Sequence, residues 1–171
     1  ADLSYASLRY SKLAAIDLSK ANLIQADLRD CNISEANLNQ ANLMQANLEN
    51  VNLLSSDLSG ANLKNTLFKK TNMSECNLER VDLSGVYMGS LNMKNANCSE
   101  ANLCGVNFYG NDSLSGVNFS SADLRGADFQ HANIENANLK NANIIGTDFG
   151  ENSGCPANLK GAIMPDGTVH E

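Results

Sequence analysis

Five cysteines and two histidines are the side chains in this sequence best equipped for nucleophilic or metal chemistry, and their spacing decides whether they can perform it. Cys31, Cys76, Cys98, Cys104 and Cys155 form no CxxC pair, and neither His131 nor His170 lies at ligand spacing from a cysteine. Zinc sites draw their ligands from closely spaced pairs, so no metal site is expected. A catalytic histidine needs a nucleophile or a carboxylate within hydrogen-bond reach, and neither histidine has one at a fixed spacing. No catalytic, cofactor-binding or metal-binding residue is assigned, and the chain is not expected to be an enzyme.

The element that must position these residues has a period of five. Residues 31–50 read CNISEANLNQANLMQANLEN, and a large apolar centre recurs every fifth residue from Leu3 to Phe108. The block NDSLSG (111–116) adds one residue, and the period resumes from Phe119 to Phe149. Of these 29 units, 28 have Leu, Ile, Phe or Met at the centre, with Cys98 the exception. The residue two places earlier is usually Ala, and between them stands Asn in 17 units and Asp in 8. Five steps of about 100° would smear these centres around a helix. An odd period would send them to alternate faces of a long strand. A short extended piece followed by a corner keeps every centre, and the small residue before it, on the inside. The Gly, Asn, Ser and Asp at the remaining positions suit such corners. Corners of one hand build a coil, and coils stacked about 4.8 Å apart share backbone hydrogen bonds.

The A(D/N)LXX tandem pattern resembles the pentapeptide repeat family, closely over 1–151 and loosely over 157–166. The resemblance implies an all-β fold, a right-handed quadrilateral β-helix with four pentapeptides per coil, here about eight coils with a one-residue bulge near 111–116. The expected layout is a solenoid over 1–151, followed by degenerate repeats and a C-terminal cap over 152–171. The sequence supplies its own check. With a twenty-residue period, Phe68, Met88, Phe108, Phe129 and Phe149 fall in one column, and Leu3, Leu23, Leu43, Leu63, Leu83 and Leu103 in another. Like side chains stacking on like is what a close-packed interior requires.

A bore filled by its own side chains has no room for a substrate, which argues further against catalysis. Cys31, Cys76 and Cys98 fall at inward positions, where reduced thiols act as small apolar filler. Cys104 faces outward on the side opposite Cys155, so no disulfide between them is expected. The middle Asn/Asp position lies outside the core, where Asn can donate and accept between coils while stacked Asp residues repel. Most columns dilute Asp with Asn, as in Asp17, Asn37, Asp57 and Asn77; only Asp128 and Asp148 are direct Asp neighbours.

A net charge of −7 disfavours nucleic acid as a partner. No apolar run approaches a membrane span. Some members of the family are DNA mimics that protect type II topoisomerase, and this is the alternative reading. Against it, acids such as Glu35, Glu75 and Glu100 are interleaved with Lys20, Lys69, Lys70 and Arg80. The leading expectation is a non-catalytic scaffold that binds an unidentified protein partner. Leu67 and Tyr87 replace Asn/Asp in consecutive coils of one column, and Ile24 and Met44 stack on the adjoining side. Such apolar pairs on a polar wall are the candidate partner surface.

The tail KGAIMPDGTVHE is similar to the ends of many cyanobacterial members, one of which is a regulator acting by protein contact. Pro165, Asp166 and Gly167 read as a turn, with Ile163, Met164 and Val169 available to cover the last coil. The first coil shows no cap, which admits an end-to-end homodimer. Unpaired cysteines point to the cytoplasm; the absent initiator Met is equally consistent with a thylakoid lumen or periplasm after leader removal.

Overall fold

The computed structural model describes residues 1–111, 113–150, 157–164 and 166–171; Cys155 and Pro165 lie outside them. The described chain contains no helix. Most units place their middle residue, usually Asn or Asp, in a parallel bridge with the residue twenty positions on. The first coil shows the pattern with Asp2 to Asn22, Ser7 to Asp27, Lys12 to Asn32 and Asp17 to Asn37. Four units therefore close one coil, and the molecule is a right-handed quadrilateral β-helix. Its first wall stacks 1–5, 21–25, 41–45 and onward, its second 6–10, 26–30, 46–50 and onward. The third begins at 11–15 and the fourth at 16–20.

The corner between walls is a type II turn. The centre's carbonyl accepts the N–H three residues on, as Leu3 does from Ala6 (3.1 Å) and Leu18 from Ala21 (3.0 Å). The second turn residue takes a positive φ, 61° at Tyr5 and 55° at Lys20, a conformation that favours Gly. Non-glycine residues hold it at most corners, at a local cost on the order of 1 kcal/mol each. They are held there because the same residue's N–H bonds the next coil, Tyr5 to Ile24 (2.9 Å) and Lys20 to Asn39 (2.9 Å).

The bore is filled by its own side chains. Leu23, Leu43, Leu63, Leu83 and Leu103 are fully buried in one column. On the second wall Phe108 stacks on Phe129 at 4.6 Å and Phe129 on Phe149 at 5.3 Å. Phe119 meets Phe108 and Phe129 edge-on from across the bore, both at 5.8 Å. The small Cys98 sits in the coil next to Phe119, in the same column, and Leu91 fills a slot usually held by Ala. Both are buried, so the coil exchanges a large and a small residue without a void.

The extra residue changes the register once. Pairs run at an offset of 21 across it, Asn97 to Asn118 and Asn107 to Asp128, and return to 20 at Asn118 to Asn138. Asn111 turns into the small-residue slot and Leu114 becomes the centre, both buried. The Asn111 amide donates to the carbonyls of Met88 (2.6 Å) and Leu91 (3.1 Å), and its oxygen accepts the Ser113 N–H (2.8 Å).

At the far end the chain doubles back. Ile163 pairs antiparallel with Val169, the Gly161 N–H donates to the His170 carbonyl (2.7 Å), and the His170 N–H to Ala162 (2.9 Å). The reversed segment thus covers the open edge with backbone bonds. Met164 packs against the core, whereas the Val169 side chain is 64% exposed, so Val169 caps through its main chain and not as the expected apolar cover.

Candidate interaction surface

Three walls carry a side-chain ladder. An Asn amide on one coil donates to the Asn or Asp oxygen of the coil before it. On the fourth wall Asn77 reaches Asp57 (3.0 Å), Asn97 reaches Asn77 (3.0 Å), Asn118 reaches Asn97 (2.9 Å) and Asn138 reaches Asn118 (2.9 Å). The third wall repeats this through Asn52 and Asn72, the first through Asn22, Asn62 and Asn102. The same oxygen also accepts the N–H two residues on, as Asn97 does from Ser99 (3.2 Å). Asn97 and Asn118 are thereby tied both along and across the coils.

The second wall breaks this rule. Among the described residues its middle column makes no such coil-to-coil amide bond. Asp27 instead grips Arg29 through two short bonds (2.8 and 2.6 Å), and the guanidinium pulls the Asp27 carboxyl down to about 2. Farther along, Leu67 and Tyr87 replace the polar residue and stand 60% and 59% exposed.

The backbone ladder opens at the same place. Below the gap Leu67 N–H donates to Ala46 (3.0 Å) and Leu48 N–H to Leu67 (2.9 Å); above it Met88 N–H donates to Asn107 (2.7 Å). Between these, Tyr87 lacks its bond to Thr66, Phe68 its bond to Tyr87, and Lys70 its bond to Gly89, judged over the described residues. Opposite, on the third and fourth walls, the rungs stay closed, Met73 to Asn92 and Leu78 to Asn97, both 2.7 Å. The gap reaches into the adjoining first wall, where the Leu63, Asn65 and Asp82 N–H groups likewise lack their rungs among the described residues although Asn62 and Asp82 remain bridged. The coils are thus wedged apart on the first and second walls and joined on the third and fourth. At this corner Thr66 and Val86 stand where the preceding coils have Ala26 and Ala46, and the Phe68 and Met88 centres lie side by side. Bulk added to a close-packed interior can force the backbone to yield. It does not always do so here, since Val86 and Val106 with Met88 and Phe108 in the next pair of coils keep their rungs, Met88 to Asn107 at 2.7 Å and Asn107 to Val86 at 3.1 Å.

The opening is a cleft of about 440 Å³ lined by Thr66, Leu67, Phe68, Val86 and Tyr87, with Glu49 and Lys69 at its rim. Gly89 makes room for the Tyr87 ring: a Cβ there would lie 2.5 Å from the Tyr87 hydroxyl. Lys64, Lys69 and Lys70 flank Leu67 in sequence. Lys64 pairs with Asp82 at 3.8 Å and Lys69 with Glu49 at 3.3 Å, both on the surface. Ile24 and Met44 are only partly exposed and do not line the cleft, so the structure separates the two expected pairs.

Two of the cysteines serve the structure through their thiols. Cys31 and Cys76 thiols donate to the Leu8 and Leu53 carbonyls, each at 2.9 Å. Burial pushes Cys76 up to about 12 and raises Cys98 as well, so both remain thiols. Cys104 is free, and His131 meets Tyr109 edge-on at 5.4 Å. Among the described residues no His, Cys, Asp or Glu cluster could hold a metal, and no helix is long and apolar enough to cross a membrane.

This geometry, with four pentapeptides to a coil, agrees with two family profiles. One, a pentapeptide repeat region, matches residues 1–78; the other, pentapeptide repeats (8 copies), matches 82–112 and 113–150. The chain belongs to the pentapeptide repeat family. It is similar to HetL, a pentapeptide repeat protein involved in heterocyst differentiation regulation from the cyanobacterium Nostoc sp.. Identity is 30% over 99% of this chain and 83% of that one, with a TM-score of 0.53. The plasmid-mediated fluoroquinolone resistance protein QnrB1 shares 19% identity over 92% of this chain and 74% of its own, with a TM-score of 0.49. A pentapeptide repeat protein of the Arabidopsis thaliana thylakoid lumen shares 24% identity over 71% of this chain and 66% of its own, with a TM-score of 0.31. No curated protein matches the chain.

Proposed function

We propose that this protein is a non-catalytic solenoid that binds another protein through its second wall. The observation that carries the reading is the exchange of a polar ladder for exposed Leu67 and Tyr87 beside an open cleft. Burying two such side chains on a partner is favourable at about 25 cal/mol per Å² of apolar surface, and an aromatic beside an aliphatic makes a fitting anchor pair. Ile24 and Met44, on the adjoining wall and in earlier coils, are only partly exposed and lie outside this footprint. The filled bore and the protonated interior thiols support the absence of catalysis.

Affinity capture from the source organism tests this, with Leu67→Asp plus Tyr87→Asp as the comparison. The expected result is a partner retained by the native protein and lost by the double variant, with an unchanged circular-dichroism melt. A partner held equally by both would remove the second wall from the interaction. In a gyrase supercoiling assay the protein is expected to give no protection. Protection at stoichiometric amounts would replace this reading with topoisomerase protection by DNA mimicry.

A further inference from the structure

We infer that the cleft between Leu67 and Tyr87 takes an extended, acidic segment of the partner protein, with an apolar side chain of that segment seated over Phe68 and Val86. The inference rests on the protein-binding reading above and names the chemistry of the bound segment.

Three features of the cleft select this occupant. Its lips carry main-chain groups that every regular coil satisfies: the N–H of Phe68, Lys70 and Tyr87, and the carbonyls of Thr66, Tyr87 and Gly89, none of them bonded among the described residues. An extended peptide offers donors and acceptors in alternation, which is how partner strands add to open sheet edges. Its floor is apolar: Phe68 is 9% exposed where Phe108 and Phe129 are sealed, and Val86 is half-buried. A volume of about 440 Å³ falls within the roughly 300–1,000 Å³ of ligand clefts and admits an aromatic ring.

Charge selects the rest of the segment. Lys64, Lys69 and Lys70 flank Leu67 in sequence in a chain of net charge −7, and Lys69 lines the cleft itself, beside Glu49. The surface pairs of Lys64 and Lys69 are individually weak and exchange readily for a partner's carboxylates. Lys70 makes no ion pair among the described residues and lines a neighbouring groove with Arg9 and Arg29. Asp30 and Glu49 line that groove too, which breaks the basic row and disfavours a nucleic-acid backbone.

The test uses fluorescence anisotropy with a fluorescein-labelled ten-residue peptide in which phenylalanine and valine alternate with glutamate. Saturable binding is expected. Leu67→Asp with Tyr87→Asp should weaken it by about tenfold or more, the scale of lost anchors. A peptide with lysine in place of every glutamate should bind at least about tenfold more weakly, since like charges would face across the mouth. Amide hydrogen exchange on the native protein should show new protection at Phe68, Lys70 and Tyr87 when the acidic peptide is added, a readout that does not depend on any variant folding. Absence of saturable binding, equal binding of the lysine peptide, or protection elsewhere on the rod overturns the inference. The broader reading fails separately, when no cellular partner is captured at all.

Discussion

Asn111 holds a slot that the repeat normally gives to Ala, and it does so because the extra residue disturbs the corner around it. Its amide ties the Met88 and Leu91 carbonyls and its oxygen ties Ser113. Asn111→Ala therefore restores the common residue and yet is expected to destabilise the protein by about 1–3 kcal/mol, since the Leu91 carbonyl loses the amide and the Met88 carbonyl keeps only the longer bond from the Leu91 N–H (3.3 Å). Urea denaturation of the variant measures this. The register shift itself could be counted from 111–116, but the residue that absorbs it could not. Any of the six could have turned inward, and only the bonding of the buried amide identifies the one that does. Asp27 offers a second measurement. Its carboxyl is held at about 2 first by its hydrogen bonds to Arg29. A folded value below the unfolded one, near 3.9, means that the stability it contributes is full above about pH 4 and fades as pH falls toward 2. Carbon-13 titration should place the native Asp27 midpoint near 2 and show it rising toward the ordinary carboxylate value in Arg29→Ala.

Among the elements, the walls differ in what their middle residues do. Asn97 bonds Asn77, Asn118 and the Ser99 N–H, while Asn107 on the second wall accepts only the Tyr109 N–H (2.9 Å). Asn97→Ala is expected to cost about 1–3 kcal/mol and Asn107→Ala under about 1 kcal/mol, a ranking that urea midpoints resolve. The period of five was enough to read a coil with Leu, Ile, Phe and Met inside. Four walls to a turn came from the family resemblance and the twenty-residue columns of Leu and Phe, because the period alone does not fix the number of corners. The Asn ladder could be anticipated as well, from the dilution of Asp by Asn down each column. Leu67 and Tyr87 announced themselves by breaking that pattern. The cleft beside them did not. It lies where Thr66, Val86, Phe68 and Met88 meet, and a positional pattern records polarity and spacing but not how neighbouring side chains pack. For the same reason Ile24 and Met44 looked equivalent to the second-wall pair, although the corner leaves them only partly exposed.

At the scale of the whole rod, each coil touches only its neighbours, so stability is nearly a sum of coil terms and interface terms. The interface between the coils that carry 66–70 and 86–90 is the weak one, opened on the first and second walls and hinged on the closed third and fourth. Local opening should then concentrate there, since exchange protection follows bonded and buried backbone. The Phe68, Lys70 and Tyr87 amides are expected to exchange faster than those of Leu48 and Met88, which keep their rungs at 2.9 and 2.7 Å. If bulk at the corner is the wedge, trimming it should close the coil. Val86→Ala shortens the side chain that lines the gap, and it should slow exchange at Tyr87 and Phe68. It should also cost less than the roughly 0.5–1.5 kcal/mol of losing even one buried methylene. Ordinary cavity behaviour would give the reverse, a larger loss of stability and still faster exchange. Amide exchange and urea denaturation on this one variant therefore decide whether the cleft is held open by packing.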